Sequence, residues 1–374
     1  MMSKTLRKIA IFLIFNLISI VIILLLCEGL ASVILFFQTV TASPPVAERQ
    51  HTQYEPTLGW VNRPNVTIAD LYGPGLDLQT NSQGFRNRHD FSREVPPGKI
   101  RLICSGDSFT LGYGVDNDDT WCQQLENLDK RLETVNMGQG GYGIDQAYLW
   151  YKQDGVQLDH DVQVFAFITT DFERMQQTEF FGYGKPLLRI EDSELVIDNV
   201  PVPQRAFYLP WLTHNRQAIR QLTSVQLLSQ FLPDSDTAQA RTQAVDQPRS
   251  EQVAAAILKD LLQLNRAKGS TLVLAYLPTL GDYQTIDQSA TETWRNFLNL
   301  AAQETGVVYI DLIETFRSLP TNQVQTMFIP EGELDFPGAA GHYSVEGNQW
   351  VASSLHEVLL AMPDISTKLA DVRQ

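Results

Sequence analysis

An α/β fold built on a parallel sheet is what this sequence predicts, and two patterns predict it. From residue 99 onward, short apolar runs of strand length alternate with amphipathic stretches of helical spacing. Such alternation implies parallel strands joined by helices that cover both faces of one sheet. In addition, glycine- and hydroxyl-rich turns directly follow two of the early runs, and open α/β sheets bind ligands at that edge.

Composition sets the outer limits. The 374 residues suffice for one large domain or two modest ones with a sizeable core. With 44% apolar and 19% charged residues, the chain is not disordered, collagen-like or coiled coil. Its formal charge of −15 is the wrong sign for a nucleic-acid partner. Cys27, Cys104 and Cys122 form no C-x-x-C, so a structural zinc is not expected, and nothing implies a cofactor. Cys104 falls in a predicted core strand and is expected as a buried free thiol.

The elements follow in order. Residues 1–8 carry Lys4, Arg7 and Lys8. Residues 9–37 are apolar apart from a short interruption around Glu28, which we place at the membrane interface. An apolar run of about 18 residues spans a bilayer. The preceding basic residues leave the N-terminus in the cytoplasm and the remainder outside. Val40-Thr41-Ala42 would serve as a signal cleavage site, but a signal core has only about 7–15 apolar residues, so we read an uncleaved anchor. Residues 38–98, rich in proline and glycine, read as a stalk and irregular lead-in. Strands are expected at Ile100–Cys104, Thr134–Met137, Val162–Ile168, Leu272–Tyr276 and Val307–Ile310. Helices are expected at Trp121–Arg131, Asp145–Gln153, Gln252–Lys268, Thr291–Thr305 and Gly347–Leu360. Residues 173–250 interrupt the alternation with a hairpin around Glu191–Glu194 and a polar linker over 234–250. The α/β domain thus occupies 99–172 and 251–362, with 363–374 as a tail.

Three stretches carry chemistry. Gly106-Asp107-Ser108-Phe109-Thr110 puts a serine between a strand end and a following helix, where its hydroxyl is exposed at the sheet edge. It is not a G-x-S-x-G elbow, because position 110 is Thr. Asn136–Gly143 matches G-x-G-x-x-G, but it follows the second strand, where a dinucleotide site is not expected. Backbone N–H groups offered to an oxyanion are the better use of this turn. His342 lies just before the last helix, where a base could reach back to Ser108. Asp116, Asp118 and Asp119 lack the glycine of a calcium loop, and His51, His89, His160, His214 and His356 have no metal-ligand spacing. Trp60, Trp150, Trp211 and Trp350 are read as packing residues.

In this order and spacing, these blocks resemble the SGNH/GDSL hydrolases. The resemblance is to their membrane-anchored bacterial branch, and Tyr54–Trp60, Asn81–Arg86, Gly106–Val115 and Asn136–Gln146 carry it. It implies a flavodoxin-like three-layer sandwich. It implies Ser108 as nucleophile, His342 as general base, and the N–H groups of Ser108 and Gly141 as oxyanion donors, with Asp107 and Asp171 in support. Two positions depart from the family. Thr170 stands where the family carries an oxyanion Asn, and Ala339 and Ala340 stand where its acid precedes the histidine. Asp335, Glu333 and Asp171 are the alternative acids, with Asp335 the nearest upstream. The implied activity is acyl-ester chemistry outside the cytoplasm on a small molecule or glycan. Water as acceptor gives an esterase, a sugar hydroxyl gives an O-acyltransferase, and a degenerate site gives a glycan-binding domain.

Overall fold

A computed structural model of the chain describes residues 4–41, 50–192, 194–204, 211, 215, 218–219, 221–223, 225–226, 247–283, 289–334 and 336–371. The chain begins with α1 (Lys4–Thr41). Its stretch Ile11–Phe37, 27 residues of mean hydropathy 2.8 with none of it buried, is long and apolar enough to cross a membrane.

Residues 52–79, within the expected irregular lead-in, are regular, while 80–98 are turns and coil as expected. The regular part forms two antiparallel hairpins, β1 (Thr52–Glu55) with β2 (Gly59–Asn62) and β3 (Thr67–Gly73) with β4 (Leu76–Gln79). Short strands that mix polar and apolar residues do not stand out in a sequence as apolar runs do. Tertiary contacts hold them: Trp60 is fully buried and its indole N–H donates to the Gly140 carbonyl at 2.8 Å. The buried Arg86 donates to the carbonyls of Leu111, at 2.6 Å, and Val115, at 2.5 Å.

The α/β domain then runs β5 (Ile100–Gly106), α2 (Ser108–Leu111), α3 (Trp121–Leu128), β6 (Leu132–Gly138), α4 (Ile144–Gln153), β7 (Val162–Phe167) and α5 (Thr169–Arg174). Two small hairpins follow, β8 (Glu179–Phe180) with β9 (Tyr183–Gly184) and β10 (Leu187–Glu191) with β11 (Glu194–Asp198). Next come α6 (Gln247–Lys268), β12 (Thr271–Tyr276), α7 (Leu280–Tyr283), α8 (Ser289–Thr305), β13 (Val308–Asp311), α9 (Leu312–Arg317), α10 (Thr321–Thr326), α11 (Val345–Ala361) and α12 (Pro363–Asp371). The linker expected over 234–250 lies outside the described residues as far as 246, and the chain is helical from Gln247. The expected tail is largely a helix, α12, whose Ile365 and Leu369 join the core.

Five parallel strands form one sheet in the order β13-β12-β7-β5-β6. Counted along the chain, this is the flavodoxin-like order. Every residue of β5, β6 and β7 is buried, because helices cover both faces. Side chains alternate between two apolar clusters. Ile103, Phe165 and Leu274 meet α4, α6 and α8 on one face, while Leu102, Val164 and Val273 meet α3 and α11 on the other.

Cys104 is not a free thiol. It projects toward α3 and forms a disulfide with Cys122, with Cα atoms 6.2 Å apart. Their separation of 18 residues does not reveal this pairing, which arises when α3 packs on β5.

Candidate active site

The strand order reverses at β5. The chain leaves it toward β6 on one side and returns to β7 on the other, which puts the topological switch point at the carboxyl ends of β5 and β7. Ser108 follows β5 as the first residue of α2. The Asp107 carboxylate caps this helix by accepting from the Phe109 N–H at 2.9 Å. The Ser108 N–H, at the first helical position, has no intrahelical partner.

His342 approaches from the loop before α11. Its carbonyl accepts from the Ile329 N–H at 2.9 Å, and its own N–H donates to the Ala339 carbonyl at 3.0 Å. The imidazole lies between two aromatic rings. Phe109 stacks on it at 4.6 Å and Tyr113 meets it edge-on at 5.3 Å. In this orientation His342 Nε2 is 2.7 Å from Ser108 Oγ. The sequence therefore identifies two residues 234 positions apart that the fold brings into hydrogen-bond contact.

The turn after β6 lies alongside. Gly138 passes so close to α2 that a Cβ there would sit 2.0 Å from the Leu111 nitrogen. Gly141 adopts φ +76°, and its N–H donates no hydrogen bond among the described residues. The N-terminal hairpins brace this turn through Trp60, through the Asn62 amide on the Gly138 carbonyl at 3.3 Å, and through the Tyr142 hydroxyl on the Trp60 carbonyl at 2.5 Å.

Thr170, on the first turn of α5, lies exposed at the same carboxyl edge. Its neighbour Thr169 is tied to the hydroxyls of Tyr276, at 2.8 Å, and Thr291, at 2.9 Å. Asp171 is not the acid of His342. One of its oxygens accepts from the Ile168 N–H at 3.0 Å and the other meets Arg174 at 2.6 Å. Glu333 is exposed, and Asp335 lies outside the described residues.

Sequence reasoning missed Arg174. A single guanidinium nitrogen, Nη1, contacts Asp171, Asp107 at 3.3 Å and the Tyr142 carbonyl at 3.1 Å. It thereby links the serine turn to the glycine turn. The i,i+3 spacing of Asp171 and Arg174 was the available signal. Burial raises the Asp107 carboxyl above its ordinary value, against the pull of Arg174. Burial, reinforced by the Asp107 charge, pushes Asp171 well above its own. One cation serves two buried carboxyls, so this group favours retaining a proton. Phe109 and Tyr113 were likewise missed as histidine-orienting rings, because only the folded chain brings them to His342.

No family model matches the sequence, and no curated protein matches it. Solved structures do match. A member of the lipolytic protein G-D-S-L family from Veillonella parvula DSM 2008 shares 14% identity, with 70% of this chain and 100% of that one covered and a TM-score of 0.39. The acetyl xylan esterase AlAXEase shares 15% over 70% of this chain and 100% of that one, at 0.40. A lipase/acylhydrolase from Enterococcus faecalis shares 9% over 70% and 96%, at 0.41.

Proposed function

We propose that this chain is a membrane-anchored, extracytoplasmic serine esterase that cleaves acyl esters through a Ser108 acyl-enzyme. The observation that carries the reading is the 2.7 Å contact between His342 Nε2 and Ser108 Oγ. A serine hydroxyl is a weak nucleophile until an adjacent base takes its proton, and this contact has the required reach. The flanking rings of Phe109 and Tyr113 hold the imidazole for that transfer.

In the proposed reaction, Ser108 Oγ bonds to the acyl carbon while its proton passes to His342 Nε2 and the carbonyl electron pair moves onto oxygen. The N–H groups of Ser108 and Gly141 stabilise that oxyanion, each donor contributing about 2.7–4 kcal/mol in comparable sites. Collapse expels the alcohol, which takes the proton from His342. Water then attacks the acyl-enzyme by the same route, releasing the acid and restoring Ser108. We assign Thr170 as a side-chain oxyanion donor and Asp335 as the acid orienting His342.

The apolar Ile11–Phe37 stretch preceded by Lys4, Arg7 and Lys8 supports an anchor with the N-terminus in the cytoplasm. An acylated envelope or exported polysaccharide is the substrate class we assign to a domain tethered there.

The test uses the full chain in detergent micelles with 4-nitrophenyl acetate and a fluorophosphonate probe. Acetate release and labelling are expected in the wild type, and both should be lost in Ser108→Ala and His342→Ala. A folded wild type that neither hydrolyses nor labels would overturn the reading. Acyl-sugar formed in place of free acid, when a glycan acceptor is added, would reassign the enzyme as a transferase.

A further inference from the structure

The segment between β11 and α6 departs from the charge of the whole chain. The protein has 43 acidic and 28 basic residues, yet 199–233 contains no Asp or Glu and carries Arg205, Arg216 and Arg220. The same stretch includes Trp211, Ile219, Leu222 and Val225. Its described backbone turns helically: the Ile219 N–H donates to the Asn215 carbonyl at 3.0 Å, and the Gln226 N–H to the Leu222 carbonyl at 3.0 Å.

Two of these apolar side chains face solvent, Trp211 at 69% exposure and Leu222 at 53%. Val225 is buried, and what buries it is informative: it packs with Ile219 against Phe36 and Phe37. Those phenylalanines end the 27-residue apolar stretch of α1. At about 1.5 Å per residue, such a helix exceeds a hydrocarbon core of about 30 Å, so its last turn reaches the headgroup region. The contact therefore sets Ile219 and Val225 at the depth where α1 leaves the bilayer. Trp211 is joined to Ile219 by successive i to i+4 bonds through Asn215, and an exposed tryptophan near an interface is accommodated by its apolar ring and polar N–H.

We propose that Trp211, Ile219, Leu222 and Val225 mark a second membrane contact, seating Trp211 and Leu222 at the acyl–headgroup boundary of a bilayer with anionic phospholipid. This rests on the anchor reading of α1. The overall acidity of the chain disfavours an anionic surface, but in sequence the stretch 199–233, with three arginines and no acid, is the part of the chain suited to one. A single helix leaves a domain free to rotate about its tether. A second contact on the insertion fixes how the α/β domain, and the Ser108–His342 edge with it, faces the membrane.

The full chain is reconstituted in vesicles of phosphatidylcholine and phosphatidylglycerol in equal parts. An environment-sensitive fluorophore is attached at Leu222→Cys in a Cys27→Ser background. The reference label is at Leu300→Cys, on α8, where the native side chain is 60% exposed. Brominated lipids should quench the label at 222 several-fold more than the label at 300, and more strongly with phosphatidylglycerol present than in phosphatidylcholine alone. Equal quenching at 222 and 300, in a chain that stays with the vesicles through an alkaline carbonate wash, overturns the second contact and leaves the anchor intact. Quenching at 222 that ignores phosphatidylglycerol overturns the anionic-lipid preference. Release of the chain by carbonate removes the anchor reading, and this proposal with it.

Discussion

The two edges of the sheet each carry an arginine that meets buried groups, and the arginines are used differently. At the amino edge, Arg101 is wholly buried. Its Nε donates to Glu133 at 2.6 Å, and its other nitrogens donate to the carbonyls of Ser92 at 2.8 Å, Arg93 at 3.0 Å, Asp159 at 3.0 Å and Glu94 at 3.1 Å. One cation meets one carboxylate and a ring of carbonyls. At the carboxyl edge, Arg174 faces two buried carboxyls and the Tyr142 carbonyl through a single nitrogen. The first arrangement is saturated and closes the fold. The second sets two carboxyls on one cation and a retained proton, beside the serine and histidine of the proposed site.

The largest effect should come from breaking the carboxyl edge at its centre. Ser108→Ala should lower ester hydrolysis by roughly 10³–10⁶-fold, with a thermal midpoint close to that of the wild type. Steady-state rates and calorimetry on the same preparation check both parts.

Arg174→Met comes next. Loss of the brace on the Tyr142 carbonyl should reduce kcat by about 10²–10³-fold, the range for a displaced oxyanion donor. Two buried carboxyls without their cation should also destabilise the fold by about 3–5 kcal/mol near neutral pH. The pH dependence has a definite sign. The folded-state carboxyls of Asp107 and Asp171 lie above their ordinary value of 3.8. The folded chain therefore binds more protons than the unfolded one above that pH. Their contribution to stability is fully present below about 3.8 and is lost as pH rises through the elevated folded values. The deficit of Arg174→Met should thus be smaller at pH 5 than at pH 8, about ±1 kcal/mol being resolvable by denaturant unfolding. An equal deficit at both pH values would show that the carboxyls do not share a proton.

Arg101→Met sharpens the contrast. It should destabilise the fold by about 2–5 kcal/mol, because Glu133 and several carbonyls lose their partner. The kcat of the folded fraction should not change. A matching loss of kcat would mean that the two edges are coupled through the sheet. The Cys104→Ala, Cys122→Ala pair should cost about 3 kcal/mol, as expected for a bridge closing a loop of this size, and reductant should lower the wild-type melting temperature similarly.

The smallest effect tests a departure from the family pattern. Thr170→Asn places an amide donor at the carboxyl edge and should raise kcat by about three- to ten-fold, less than the full worth of an oxyanion donor. An unchanged rate would mean that position 170 does not reach the oxyanion.

What the sequence determined by itself was what a few neighbouring residues specify. Apolar runs of strand length, helical spacing and capping residues place the five strands to within two residues of their observed ends. They also place Ser108 after the first strand and His342 before the last long helix. Only the tertiary structure decided what depends on contacts between distant residues. The hairpins of residues 52–79 were illegible because their short strands mix polar and apolar residues where the sheet strands are apolar runs, and burial of Trp60 and Arg86 under distant turns holds them in place. The Cys104–Cys122 bridge required α3 to settle on β5. Arg174 became part of the site only when β5, β6 and β7 aligned their carboxyl ends, bringing Asp107, Tyr142 and Asp171 around one nitrogen. Periodicity and capping act within a turn or two of the chain, whereas burial and charge pairing depend on which residues the fold makes neighbours.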